Sequence, residues 1–155
     1  TTDMAKESLF NILHSQVDLE GLEILDLFAG TGSISFEFAS RGVAAVTSVD
    51  INHACIKFIG ETAKKLGFEQ IKPVKGNVFR ILPRINAKFD IVFADPPYDM
   101  DGINDIPDAV YQHDLLEQDG IMIIEHPAEI DFSLHPGFER KRKYSRVNFS
   151  FFSRY

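Results

Sequence analysis

Phe89-Asp90-Ile91-Val92-Phe93-Ala94-Asp95-Pro96-Pro97-Tyr98 decides how the rest of the chain is read. Its first six residues are rich in β-branched and aromatic side chains, which predicts a short buried strand. Two prolines then stop it. Pro97 drives Pro96 into an extended conformation, and neither ring nitrogen carries a hydrogen. The strand therefore ends on a carboxylate, a carbonyl that has lost its ladder partner and an aromatic ring. In open α/β sheets, ligands bind at the carboxyl ends of strands. A carboxylate and a free carbonyl together accept both hydrogens of an NH2 group, and a ring can stack on a flat base.

Upstream of this stretch, strands and helices alternate. Asp3 is placed to cap a helix over 3–16 whose Ala5, Leu9, Phe10 and Leu13 share one face. Leu22 to Phe28 reads as the first strand, and Ala29-Gly30-Thr31-Gly32 turns it into a helix from Ser33 to Ser40. Gly42 follows just past that helix end. Val43 to Val49 is the second strand, closed by Asp50; Asn52 caps the next helix, which runs to Leu66 and is stopped by Gly67. Ile71 to Lys75 is a third strand, followed by Gly76-Asn77 and a helix ending near Pro83.

Downstream, an acidic connection through Asp99, Asp101, Asp105 and Asp108 leads to a helix from Ala109 to Leu116, and Gly120 opens a fifth strand, Ile121 to Glu125. Phe138 to Tyr144 and Val147 to Phe152 have no helix between them and are expected to pair as a hairpin. Right-handed crossovers make the whole a three-layer α/β sandwich of Rossmann-like type. Its seven-stranded sheet is mostly parallel, and the C-terminal hairpin adds one antiparallel strand.

Length and composition suit one domain, 1–155, with a real core: 155 residues, 45% apolar and 25% charged. No apolar run spans a bilayer and no secretory pattern is present. The single cysteine, Cys55, excludes an internal disulfide framework and fits a reducing cytoplasm. It lies in line with Ile51, Phe58, Ile59 and Thr62 at helical spacing and is expected in the core. The net charge of -7 excludes a protein that coats nucleic acid generally, since phosphate binding needs lysine and arginine, but leaves room for a local basic patch. The chain begins Thr1-Thr2-Asp3 without a methionine, so a leading basic arm is expected to be missing. None of the five histidines has metal-ligand spacing, and no metal is expected.

Asp26-Leu27-Phe28-Ala29-Gly30-Thr31-Gly32 ends the first strand. Its glycines permit positive φ and close approach of a ligand, and the following helix offers free N–H groups. The third glycine of the dinucleotide fingerprint is missing, and no Lys-Ser or Lys-Thr pair follows, so a phosphate-gripping loop is excluded. Asp50 ends the second strand about twenty residues on, where an acidic residue accepts from ribose hydroxyls. Asn77 follows the third strand, where an amide can read an adenine edge. A ribose acceptor, an adenine reader and an acidic residue before a glycine turn, without a diphosphate cradle, match S-adenosylmethionine (SAM) better than NAD.

With these residues in view, the chain resembles the class I SAM-dependent methyltransferases that modify exocyclic amines of bases, through D-L-F-A-G-T-G and F-D-I-V-F-A-D-P-P-Y. Its opening T-T-D-M-A-K-E-S-L-F-N is similar to that of the bacterial small-subunit ribosomal RNA guanine-N2 methyltransferases, the RsmD family. The likeness continues through Ser40 to Gly42, Val49 to Asn52, Ile124 to His126 and Lys141 to Ser145. Met4 stands where that family usually has arginine, and Ser145 where glycine is usual. The resemblance implies that Asp26, Ala29, Gly30 and Gly32 surround the methionine part of SAM, and that Phe28, Thr31 and Ile51 also belong to the cofactor site. It implies that Asp50 holds the ribose, and that Asn77 and the Val78 backbone hold the adenine. The target amine falls to Asp95 and the Pro96 carbonyl, with Pro97 completing the motif and Tyr98 stacking on the base.

The implied reaction is an in-line methyl transfer to a guanine N2 amine of 16S ribosomal RNA, with the protein supplying positioning and electrostatics. Lys6, Arg140, Lys141, Arg142, Lys143 and Arg146 are the candidate RNA contacts, and small-subunit ribosomal RNA in an assembled or partly assembled particle is the expected partner of a cytoplasmic monomer. Asp-Pro-Pro-Tyr alone also fits adenine-N6 methylation of DNA or RNA. A SAM-binding assembly factor without turnover has no need of a two-acceptor clamp. A nicotinamide oxidoreductase lacks its glycine and its hydride-transfer acid or base here.

Overall fold

The seven strands of the computed structural model, which describes residues 1–155, lie in the order β3-β2-β1-β4-β5-β7-β6. They are β1 (Glu23–Leu27), β2 (Ala45–Asp50), β3 (Ile71–Lys75), β4 (Phe89–Ala94), β5 (Leu116–His126), β6 (Phe138–Tyr144) and β7 (Val147–Ser153). All pairings are parallel except β5 with β7 and β6 with β7, so β7 alone runs against the rest. The chain steps from β1 out to β3, then returns to the other side of β1 with β4. The carboxyl ends of β1 and β4 therefore flank the switch point of the sheet, where its crevice lies.

One face is covered by α1 (Asp3–Gln16), α2 (Ser33–Ser40) and α3 (His53–Leu66), through Leu9, Phe10, Phe38 and Ile59 against Ile24, Val46, Phe93 and Phe149. The other carries α4 (Val78–Ile81) and α5 (Ile106–Gln112), with Leu82 and Val110 against Leu25, Val92, Ile124 and Phe152. No helix is long and apolar enough to cross a membrane. Pro73 sits in edge strand β3, where a missing N–H costs least. Asn52 caps α3 by accepting from the Cys55 N–H, and Gly67 ends it in the left-handed conformation.

Several expectations shift. Thr2, not Asp3, caps α1, accepting from the Ala5 N–H, and Asp3 becomes the first helical residue. The helix predicted over Ala109 to Leu116 begins earlier, after a 3-10 turn at Ile103–Asp105, and stops at Gln112. Asp114 then takes φ +52, which no helix accommodates, and Leu116 already belongs to β5. A register shift between Phe89 and Ile91 absorbs the extra length of β5. Cys55 is half-buried rather than in the core: it lies one turn before the buried Ile59 and Ala63, in the first turn of α3, where the stripe leaves the sheet, while Ile51 and Phe58 face outward.

Candidate functional site

Four parallel strands end at the crevice, and their last residues set its chemistry. Side chains alternate across a strand, so Asp26, Ser48 and Phe93 share one face with Ile24, Val46 and Ile91. In the same alternation Asp95 and Glu125 emerge on that face, one residue beyond the paired Ala94 and Ile124. Neighbouring strands are about 4.8 Å apart, which makes Asp95 and Glu125 lateral neighbours.

The turn after β1 is held by its backbone. Phe28, Gly30 and Gly32 all take positive φ, at +58, +58 and +89. That conformation is costly for Phe28 and free for the glycines. Gly32 also has no room for a side chain: a methyl group there would sit 2.9 Å from Ile59 Cγ1. Asp50 ties the loop to β2. Its Oδ2 accepts from the Gly30 N–H at 2.8 Å, and its Oδ1 accepts from the Asn52 N–H at 2.8 Å. Asn77 lies just before α4 with its side chain free of the helix cap.

A cavity of about 540 Å³ opens between these elements. Phe28, Gly30, Asp50 and Ile51 line one wall, and Gly76, Asn77 and Val78 the next. Asp95, Pro96, Pro97, Tyr98 and Met100 close the side nearest β4. The volume lies within the range of small-ligand sites. The structure thus brings together most of the residues singled out above, from both the glycine turn and the Asp-Pro-Pro-Tyr stretch. Ala29, Thr31 and Gly32 do not line this cavity; they form the turn behind it.

Asp26 does not line it either. It is buried beneath the turn, with Ser35 Oγ donating to its Oδ2 at 2.6 Å and Ser48 Oγ 2.6 Å from Ser35 Oγ. Burial pushes the Asp26 carboxyl up to about 7, against the pull of Ser35.

Sequence reasoning missed Glu125. It is 4% exposed, its Oε2 accepts from the Tyr98 hydroxyl at 3.1 Å, and its Oε1 lies 2.6 Å from Thr1 Oγ1. The same Thr1 hydroxyl lies 2.7 Å from Asp95 Oδ2. Burial raises the Glu125 carboxyl above its ordinary range, and the adjacent Asp95 charge adds to this. The signal available beforehand was a polar residue closing the apolar run Ile121 to Ile124. Its pairing with Asp95 became visible only with the strand register.

The basic residues are placed differently from one another. Lys6 donates to Ser33 Oγ at 3.0 Å and faces Glu37 on the α1–α2 surface. Arg140 and Arg142 pair with Phe151 and Phe149, and Lys141 and Lys143 with Ser150 and Asn148, so the expected single patch is split between the two faces of edge strand β6. Arg140 packs its guanidinium over the Phe151 ring at 4.9 Å. The turn carrying Ser145 and Arg146 lies at the same end of the sheet as the cavity, since Lys143 and Asn148 are level with His126. Ser145 takes φ +56, which explains why glycine suits this position.

The family model described as Conserved hypothetical protein 95 matches residues 1–153. A Bacillus subtilis relative, provisionally named rRNA methyltransferase YlbH, is 32% identical over 135 residues, covering 84% of this chain and 72% of its own length. Ribosomal RNA small subunit methyltransferase D of Buchnera aphidicola is 22% identical over 156 residues, covering 98% of this chain and 79% of its own. A solved Escherichia coli structure, provisionally described as the methyltransferase yhhF, superposes with a TM-score of 0.88 at 23% identity, over 99% of this chain and 85% of that one. That last likeness is one of fold.

Proposed function

The chain belongs to the family described as Conserved hypothetical protein 95, the RsmD-like methyltransferases, and from that membership we propose that it transfers the methyl group of SAM to the N2 amine of a guanine in small-subunit ribosomal RNA. The observation that carries the reading is one cavity bounded on one side by Asp50 and Asn77 and on the other by Asp95, Pro96 and Tyr98.

The residues present fit SAM. Asp50 keeps lone pairs beyond those given to Gly30 and Asn52, and these can accept from ribose hydroxyls. The Asn77 amide and the Val78 backbone suit an adenine edge, with Ile51 against the ring. A methyl group on Gly30 would meet nothing within 4 Å, so the backbone there is open to a ligand. Bound SAM supplies an electrophilic methyl group on a sulfonium, and this is the hard part of the chemistry.

The chain's own residues prepare the acceptor. A guanine amine is a weak nucleophile because its lone pair is delocalised into the ring. Asp95 and the Pro96 carbonyl each accept one amine hydrogen, which turns that lone pair towards the cofactor side of the cavity. Asp95 also stabilises the positive charge that grows on nitrogen. Tyr98, 44% exposed, offers its ring face to the base while its hydroxyl is anchored on Glu125. The base reaches this site from an unpaired loop or after leaving its stack.

The RNA partner fits the placement of Lys143 and Arg146 at the cavity end of the sheet. A net charge of -7 with so local a patch favours a preformed ribonucleoprotein target over naked strands, and we propose that the enzyme acts as a cytoplasmic monomer on partly assembled small subunits. Tritiated-methyl transfer to small subunits, protein-free ribosomal RNA and duplex DNA, with the modified nucleoside identified by mass spectrometry, tests the proposal. N2-methylguanosine in small-subunit RNA is the expected product; N6-methyladenine as the main product overturns it.

A further inference from the structure

Two carboxylates stand side by side at the ends of β4 and β5, and only one of them is used by the amine clamp. We propose that Glu125 is the specificity-determining residue of the base pocket, accepting the guanine N1–H beside the N2 amine held by Asp95. The inference rests on the guanine-N2 reading above and names what enforces it.

Three observations carry it. The strand register puts Glu125 next to Asp95 on the same face of the sheet. One hydroxyl, Thr1 Oγ1, lies 2.7 Å from Asp95 Oδ2 and 2.6 Å from Glu125 Oε1, so these two acceptor oxygens are at most 5.3 Å apart, the two contacts laid end to end, and both face Thr1, whose ammonium also donates to Asp95 Oδ2 at 2.6 Å. The remaining Glu125 oxygen accepts from the Tyr98 hydroxyl, which ties its orientation to the ring proposed to stack on the base.

The Thr1 ammonium donates to Asp95 but stands 3.9 Å from Glu125 Oε1, which is left with the one proton of the shared hydroxyl. The Watson–Crick edge of guanine has adjacent donors on N2 and N1, one for each. Adenine held by its N6 amine would instead turn the N1 lone pair towards Glu125, leaving a buried acceptor against an acceptor. Sites built around such a hydrogen bond reject the wrong edge strongly, because the buried group is left unpaired. Glu125 is not among the residues that line the cavity; it stands behind Tyr98, on the side away from Asp50 and Asn77, so its role is separable from cofactor binding.

The test uses reconstituted small subunits whose RNA, joined by splinted ligation, carries either guanosine or 2-aminopurine riboside at the nucleotide the wild-type enzyme methylates. The 2-aminopurine base keeps the 2-amine but has an unprotonated N1. Wild type should prefer guanosine by about 10–100-fold in kcat/KM, the usual span for a hydrogen bond to a charged group. Glu125→Gln, whose amide can donate to that N1, should lose guanosine activity and narrow or invert the preference, with SAM affinity by calorimetry unchanged. A purely structural residue would slow both substrates equally, and that result overturns the proposal. Wild-type enzyme that methylates both bases equally overturns it too, whether or not the variant folds. Wild type that yields N6-methyladenine instead refutes the underlying reading, and this inference with it.

Discussion

Replacing Asp26 by Asn should make the unliganded protein more stable, and increasingly so as pH rises. Asp26 is 1% exposed, and its strongest neutral support is the Ser35 hydroxyl at 2.6 Å. Burial dominates and lifts its carboxyl from 3.8 to about 7; Asp95 and Asp50 add to the rise. A carboxyl whose folded value lies above its unfolded value takes up a proton on folding between the two. The contribution of Asp26 to stability is therefore greatest below about pH 4, where both states carry the proton, falls as pH rises towards 7, and levels off above that. Three units at 1.36 kcal/mol each give a total loss of about 4 kcal/mol, roughly half of it reached near pH 5.5. Full burial leaves little solvent screening to reduce this figure. Asn cannot ionise and keeps an acceptor oxygen for Ser35, so the variant lacks the loss. Urea unfolding of both ligand-free proteins from about pH 4.5 to 8 measures it, and the stability difference should widen by about 3 kcal/mol. Parallel curves for the two proteins would refute burial as the force acting on Asp26.

Asp50→Ala should weaken SAM by about 1–3 kcal/mol in calorimetry, because the ribose loses its acceptor and the Gly30 and Asn52 N–H groups lose theirs; unchanged affinity would mean the ribose is held elsewhere. Asp95→Ala should leave SAM affinity nearly intact and lower the single-turnover rate by about 10²–10³. Near-normal turnover would place the amine clamp elsewhere. Alanine at Arg140, Lys141, Arg142 and Lys143 together should raise the KM for RNA and flatten its salt dependence. Because the two pairs face opposite sides of the sheet, only one pair should reproduce most of that effect, and equal contributions would argue that the charges act merely through net charge.

Much was legible in the chain itself. Ile71–Lys75 and Phe89–Ala94 were read to the residue, since short β-branched and aromatic runs bounded by Gly, Pro or Asp leave little choice of element. Asn52 and Gly67 bracketed α3 because capping is a local matter of one side chain or one φ angle. Boundaries failed where a distant partner decides. β5 extends back to Leu116 because Phe89 pairs with it, and the polar run Glu117, Gln118 and Asp119 has no strand pattern of its own. Cys55 was misplaced because helical spacing gives a stripe but not how far along it the sheet keeps covering the helix.

For the site, the sequence by itself determined the chemistry at each strand end: the acid before the glycine turn, the acid after β2, and the carboxylate, carbonyl and ring after β4. These follow from residue type and local backbone, which a chain carries with it. Only the tertiary structure decided which strand ends become neighbours. The order β1-β4-β5 and the pairing of Ala94 with Ile124 set Asp95 beside Glu125, and the antiparallel return of β7 set the basic edge strand on two faces rather than one. Lateral proximity between parallel strands is made by hydrogen bonds and core packing across long crossovers, and no local run of residues encodes it.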